Sequence, residues 1–537
     1  MNRARPRIPV RAMLDPTSNA PPNAAWRPDP PTILFASVLI LGLAAFTTPQ
    51  FDPDFWWTAR LGLEILARGV PLHNYFTFTA FTHPFISQEW GSEVIDALLY
   101  RHFGMTAVIL VFAAVTWMGF FLGVIRVNRP GRSRWVLSIG AALVVVSGLQ
   151  VWGPSPQMFS FGLLGVLLTI LDAYRRRPRT RLLLGLIPVF VVWGNLHGGF
   201  LIGLGVVGVF LVGEALSVYL RQPGAIGWHA CRDLLAFLVL AALAPMVNPN
   251  GTGIYLYPAK LLLSSVAQGS LNEWQPPDFH SAANIPVLVL LLSTLLAARW
   301  ARQTSTSDHL LAVAGLLLML YAVRDIPIFA VLVLPLWADG VQGLTEFLRQ
   351  AREPHRSRRV RPAPRWFVAV VLLLVAVASG ARMIGQVASP ENSLQSSAYP
   401  VQVGRVICHG PTARVFAPYA SGGWLLYRID HRVPVGIGCA PDRVFIFGEV
   451  VLMGRTVLAD YLTAESAGAG SLGILRSFAV TLVWQPRDAP LANLLRQTRG
   501  WSCVFATSSN ELFAPSSSAH RWDSTRSGCG AGTSSAN

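Results

Sequence analysis

Residues 51–57 read FDPDFWW and follow directly on the apolar run 31–48, so two carboxylates and three aromatic rings stand where a bilayer would meet water. Aromatic side chains favour that interface, and Asp becomes costly further in. The pair Asp52 and Asp54 therefore reads as acidic chemistry held at a membrane surface, and the stretch predicts a chain that crosses the membrane repeatedly.

Composition agrees. Hydrophobic residues make up 52% of the 537 and charged residues 13%, against roughly 25% charged in ordinary soluble domains. A formal charge of +16 raises the question of nucleic acid. A nucleic-acid-binding face would gather its basic residues on one soluble surface. Here they are divided among short connections between apolar runs, which excludes that class.

Against a hydrocarbon thickness of about 30 Å, candidate spans lie near 31–48, 105–125, 135–153, 158–174, 182–194, 199–220, 234–247, 285–298, 309–323, 326–340 and 366–381. Arginines cluster in alternate connections: Arg126, Arg129, Arg132 and Arg134, then Arg175, Arg176 and Arg177, then Arg221 and Arg232, Arg299 and Arg302, and Arg349 to Arg365. The positive-inside rule makes these cytoplasmic. The fold class expected is an α-helical polytopic protein of the plasma membrane with about 11 transmembrane helices, its N-terminus cytoplasmic and the chain after the last span extracytoplasmic. Residues 1–30 read as a disordered cytoplasmic tail and not a cleaved signal. Residues 31–389 form the transmembrane domain, with a first outer loop at 49–104.

Within that loop, Asp52 before Pro53 is a good N-cap. Trp57, Leu61 and Ile65 then recur at helical spacing until Gly69, which predicts a short amphipathic helix lying on the membrane. A second helix is expected from about Ser87, with Glu89, Glu93 and Asp96 on one face, ending at Gly104. Carboxylates so placed are ordinarily a solvated face.

The stretch from Asp52 to Glu93, DPDFWWTARLGLEILARGVPLHNYFTFTAFTHPFISQEWGSE, resembles the first outer loop of bacterial membrane proteins of the GT-C glycosyltransferase superfamily, in the branch grouped with oligosaccharide-building and protein O-mannosyltransferase-like enzymes. VVWGNLHGGFLIGLGVVGVFLVGE, VNPNGTGIYLYPAKLLL with NEWQPPDF, RDIPIFAVLVLPL and VFAPYASGGWLLYRI resemble later regions of the same group. The resemblance implies transfer of a sugar from a polyprenyl-phosphate carrier to a glycan, lipid or protein acceptor on the outer face of the membrane. It also implies that Asp52 and Asp54 either deprotonate the acceptor hydroxyl or help to hold a divalent cation, Mg or Mn. This chain has Thr58 where relatives often carry His after the paired tryptophans, and Ser155 where they often carry Arg.

Further candidates lie in the outer connections. Glu89 is a second acid or a metal ligand. His197 and Asn195, in NLHGG, are poor lipid-facing residues at membrane depth and read as substrate contacts or as packing. Lys260 is the only lysine among 43 basic side chains and reads as a phosphate cation or a snorkelling anchor. Arg324 reads as an ion pair with Asp325 or as a cation for the donor phosphate. Trp274 reads as a sugar platform or an interfacial anchor.

Residues 390–515 lose the transmembrane pattern. Strand-like runs at 413–418, 433–438, 480–484 and 502–506 alternate with helical patterns at 423–429, 444–461 and 491–499, predicting a small C-terminal extracytoplasmic α/β domain for acceptor binding or partner docking. Residues 516–537 read as a disordered tail that takes Cys529 with it. Three function classes follow: a glycosyltransferase, a catalytically inactive GT-C-like lipid- or glycan-binding protein, and a transporter. A transporter would carry ionisable groups near the bilayer midplane, where these spans have almost none.

Overall fold

The computed structural model describes residues 29–48, 52, 54–262, 272–351, 364–388, 399–429, 443–525 and 528–529. In chain order the helices are α1 (Pro30–Phe46), α2 (Phe55–Arg68), α3 (Trp90–Ile125), α4 (Arg134–Ser147), α5 (Gln157–Arg176), α6 (Thr180–Leu183), α7 (Leu186–Leu196), α8 (Phe200–Tyr219), α9 (Trp228–Leu243), α10 (Gly253–Leu262), α11 (Ile285–Ala297), α12 (Thr306–Tyr321), α13 (Ile326–Ala351) and α14 (Arg365–Val387). Every apolar run expected to span is helical. Seven helical segments are long and apolar enough to cross a membrane: Trp90–Ile125, Gln157–Arg176, Phe200–Tyr219, Trp228–Met246, Ala282–Trp300, Val323–Ala351 and Trp366–Val387. The other four apolar segments, Pro30–Phe46, Arg134–Ser147, Thr180–Leu196 and Thr306–Tyr321, are shorter. The chain is a multi-pass membrane protein.

Local chemistry sets the boundaries. Asp29 accepts the Thr32 amide at 3.1 Å and caps α1, whose first positions are prolines that need no amide partner. Gly69 stops α2 at φ 84°, and Gly104 interrupts α3 at φ 72°, a region where L side chains are strained. The outer helix and the span expected to be separate thus meet at Gly104 within one long element.

The two ends of the bundle differ. At the arginine-rich end, Arg126 pairs with Asp172 at 2.8 Å and Asp308 at 3.5 Å. Arg175 reaches Asp172 at 2.8 Å, Asp308 at 3.0 Å and Glu214 at 3.9 Å. Arg132 meets Asp339 at 3.4 Å, and that carboxylate also accepts the Gln303 amide at 2.7 Å. These bonds join α3, α5, α8, α12 and α13 on one side. At the opposite end, Asn250 donates to the Ser87 carbonyl at 2.7 Å, Gln157 to the Arg324 carbonyl at 2.7 Å, and the Val323 amide to the Gln275 carbonyl at 2.8 Å. The connections grouped from arginine alternation as one side do sit together.

The C-terminal domain comprises α15 (Val401–His409), β1 (Arg414–Phe416), α16 (Tyr419–Ile429), β2 (Arg443–Val444), α17 (Val450–Glu465), α18 (Ser471–Ser477), β3 (Leu482–Pro486), α19 (Pro490–Gln497), β4 (Trp501–Ala506) and β5 (Asn510–Pro515). The sheet runs β2-β1-β3-β5-β4, with β1 parallel to both its neighbours and β5 antiparallel to both of its own. The strand expected at 433–438 lies outside the described residues. The 444–461 run starts as strand β2 and turns helical only at Val450.

Two expectations need correction here. The tail does not begin at 516: a helical turn at Ala519–Thr525 places Trp522, 2% exposed, in the core, and Cys503 is bonded to Cys529. An indole of that size gains roughly 2–3 kcal/mol on burial, which favours folding this segment back. And α2 does not lie on a lipid surface. It is packed on α3 on one side, where a Cβ on Gly62 would stand 1.9 Å from the Glu93 carbonyl oxygen, and on α16 on another, so its apolar face is buried in protein.

Candidate active site

Both helices of the first outer loop begin with an acid that does not cap. Asp54 occupies the N-cap position of α2, yet its side chain accepts no backbone amide of the first turn. Asp52, expected to be the cap, instead accepts the Asp54 amide at 3.0 Å through Oδ1. Glu89 holds the N-cap position of α3 and likewise makes no capping bond. The positive ends of two helices therefore face these acids while their oxygens remain available for other partners.

The C-terminal domain closes over them. Trp56 packs its ring on Tyr427 at 5.3 Å and Trp57 packs on Phe447 at 5.5 Å. Thr77 bridges to Val444, and the Thr79 hydroxyl donates to the Phe445 carbonyl at 2.5 Å. This docking lays Gly448 on Asp54: a Cβ there would stand 1.8 Å from Asp54 Oδ1, so a larger residue would push the Asp54 side chain aside. Tyr419 holds the loop by donating to the Gly448 carbonyl at 2.8 Å. The next residue, Glu449, is 5% exposed, and its Oε1 has no hydrogen-bond partner among the described residues.

Electrostatics follow from crowding acids away from water. Burial pushes Asp52 up to about 6, with Glu273 adding to the rise and the Asp54 amide and Arg324 opposing it. Burial, then Asp52 and Glu273, push Asp54 well above the usual carboxylate range, against the pull of the Trp57 indole N–H. Burial raises Glu89 to about 8, with Glu449 adding to it. Burial likewise raises Glu449 to about 7, against the Tyr257 hydroxyl and the Val451 and Leu452 amides.

His197 stands opposite Glu89, Nε2 to Oε1 at 3.6 Å. Its Nδ1 accepts the Gly199 amide at 2.9 Å and faces the Ser160 hydroxyl at 2.7 Å. Nδ1 thus carries the lone pair and Nε2 the proton. Burial, then Arg324, lower its pKa to about 3, so the ring is neutral and presents an N–H to Glu89.

Arg324 is the guanidinium at this end that Asp52, Glu89 and His197 feel. It pairs with Glu273 at 2.6 Å and lies 5.0 Å from the ring centre of Trp274. The expected pairing with its neighbour Asp325 gives way to Glu273 because the loop carrying Glu273 and Trp274 is tied to the Val323–Asp325 turn through Gln275. Trp274 is accordingly covered on one face by a cation.

Other candidates are placed differently. Asn195 has its polar atoms engaged: Oδ1 accepts from Trp90 at 2.5 Å, and Nδ2 donates to the Val191 and Val247 carbonyls at 2.7 Å each. It fastens α7 to α3 and to the 247–250 turn. Lys260 is exposed in the last turn of α10, one turn beyond Tyr257. Glu93 and Asp96 are not solvated: each is 1% exposed, bonded to Ser87 at 2.6 Å and Thr58 at 3.1 Å respectively. Thr58 thereby ties α2 to α3.

Asp52 and Asp54, the expected holders of a divalent cation, are two carboxylates linked through the Asp54 amide. Among the described residues no three His, Cys, Asp or Glu side chains gather closely enough to hold a metal ion. Glu449, Tyr419 and Tyr257 escaped the sequence reading, since nothing local marks residues that lie roughly 170 to 400 positions from the acids they approach.

No protein-family model matches the chain, and no curated protein matches it. Among solved structures, the archaeal oligosaccharyltransferase AglB from Archaeoglobus fulgidus, in complex with an inhibitory peptide and a dolichol-phosphate, aligns over 84% of this chain and 69% of its own at 11% identity and a TM-score of 0.50. Its apo form aligns over the same shares at 12% identity and the same TM-score. ArnT from Cupriavidus metallidurans bound to undecaprenyl phosphate aligns over 90% of this chain and 97% of its own at 14% identity and a TM-score of 0.47. The AglB likeness shows that this chain shares the fold of that structure.

Proposed function

We propose that the protein is a membrane glycosyltransferase that moves a sugar from a polyprenyl-phosphate carrier to an acceptor hydroxyl at the outer face of the plasma membrane. The observation that supports this reading most is Asp54: an acid at a helix N-terminus with no capping bond, desolvated, and covered by a glycine. A carboxylate whose proton affinity is raised above the ordinary value is, while ionised, a better general base than an ordinary one.

In this mechanism Asp54 takes the proton of the acceptor hydroxyl as its oxygen attacks the anomeric carbon. The bond from that carbon to the carrier phosphate breaks, and the electron pair leaves with the polyprenyl phosphate. Arg324 meets that phosphate, exchanging the Glu273 carboxylate for it and neutralising the charge that develops. Glu89, held opposite the neutral His197, fixes the far wall of the site.

The test is reconstitution of purified protein with a panel of polyprenyl-phosphate sugars, with sugar nucleotides as the negative control. Transfer from at least one lipid-linked sugar and none from the nucleotides is expected. Binding of the lipid-linked sugar without any transfer would instead support a non-catalytic lipid- or glycan-binding protein.

A further inference from the structure

Resting on the glycosyltransferase reading, we infer that Glu449 of the C-terminal domain is a binding residue of the same site, accepting a hydrogen bond from a hydroxyl of the sugar being transferred, and that the C-terminal domain thereby helps to set sugar specificity.

The argument starts from an unpaired atom. Glu449 is 5% exposed, and its Oε1 has no hydrogen-bond partner among the described residues. A buried acceptor left without a donor costs about 1–3 kcal/mol, more if charged, so this oxygen is suited to a donor brought by a bound ligand.

Its position says which donor. Gly448 is seated on Asp54 Oδ1, and the loop is fixed there by Tyr419, so Glu449 follows directly on a residue that touches the base. Tyr257 of α10 closes the other side, its hydroxyl on the Glu449 carboxyl. Whatever sugar has its anomeric carbon beside Asp54 has ring hydroxyls within a few ångströms of the groups bordering Asp54, and a pyranose or furanose ring presents several O–H donors. The carrier phosphate falls to Arg324, which acts on Asp52, Glu89 and His197, whereas Glu449 answers to Tyr257 and the first amides of α17 and shares only Glu89 with that cation. Glu449 therefore borders the sugar, away from the phosphate cation.

A site built to accept a hydroxyl proton discriminates strongly against a ligand lacking it, because the buried acceptor is then left unpaired. Replacing Glu by Gln keeps the shape but leaves one carbonyl oxygen to serve both Tyr257 and the sugar.

The experiment compares thermal stabilisation of the full-length protein in detergent by two probes, a polyprenyl-phosphate sugar that wild type transfers and the sugar-free polyprenyl phosphate. Wild type, Glu449→Gln and Glu449→Ala are measured, and the transfer assay is run beside them. Both variants are expected to keep the stabilisation given by sugar-free polyprenyl phosphate, which also shows that they are folded. They are expected to lose most of the extra stabilisation due to the sugar, and to show KM for the donor raised about 10-fold or more. Unchanged sugar-dependent stabilisation and unchanged KM in both variants would overturn the assignment. If wild type transfers nothing but the panel's sugar-dependent stabilisation is lost in the variants, the transferase reading fails and the Glu449 contact stands. If no lipid-linked sugar stabilises wild type beyond its sugar-free form, both are overturned.

Discussion

The two ends of the bundle bury ionisable groups in opposite ways. At the arginine-rich end, Arg126 and Arg175 share Asp172 and Asp308, Ser307 donates to Glu214 at 2.6 Å, and each charge has an opposite one within reach. At the other end, Glu273, Asp52 and Glu89 face Arg324, and Asp54 and Glu449 add further acid beside them. The first arrangement fixes five helices and leaves little to ionise differently. The second is short of positive charge: Glu273 takes Arg324, and Asp52, Asp54, Glu89 and Glu449 are pushed up in pKa by burial. Paired burial holds structure together, and unpaired burial stores reactivity at a cost in stability.

The largest consequence falls on the paired end. Asp308 is 1% exposed and serves both arginines, so Asp308→Ala leaves buried guanidinium charge uncompensated and is expected to destabilise the protein by about 3–5 kcal/mol. Thermal unfolding in detergent measures it. A shift no larger than that of an exposed Asp488→Ala control would show that the network does not hold the helices.

A smaller effect of opposite sign is expected at the acidic end. Burial raises Glu89 from its ordinary value of 4.5 to about 8 in the folded protein. Between those values the folded state binds a proton that the unfolded state has released, so this contribution is fully present below about 4.5 and is lost as pH rises through about 8. Asp52 and Glu449, raised to about 6 and 7, act in the same direction. Glu89→Gln is therefore expected to flatten the fall in melting temperature between pH 5 and pH 9, and to leave the variant no less stable than wild type at pH 9. A steeper fall in the variant would contradict the burial of an unpaired acid there.

How far all this was legible in the chain varies with distance along it. The apolar runs, the stops at Gly69 and Gly104 and the division into two sides follow from local pattern and arginine placement, because hydrophobic period and φ preference act within a few residues. The acids Asp52, Asp54 and Glu89 were visible as unusual polar residues at an interface. What was not visible depends on docking between distant segments. Glu449 reads locally as one more Glu before an amphipathic helix, and only the seating of Gly448 on Asp54 brings it to the site. Asn195 has the same outer-turn setting as His197, yet Trp90 and the Val247 carbonyl engage it. Trp522 and Cys529 follow a Ser-rich stretch that looks unfolded, and a disulfide and one buried indole reverse that reading.

The account's central claim, that the acid-rich end is where transfer happens and Asp54 is its base, is tested most directly by single-turnover transfer from a polyprenyl-phosphate sugar with wild type and Asp54→Asn. Asn suits an N-cap position about as well as Asp but cannot take a proton at neutral pH. The variant should bind the donor and melt as wild type does while transferring about 10²-fold more slowly or less, the scale expected on losing a general base. Wild-type turnover by a folded Asp54→Asn protein would contradict the claim.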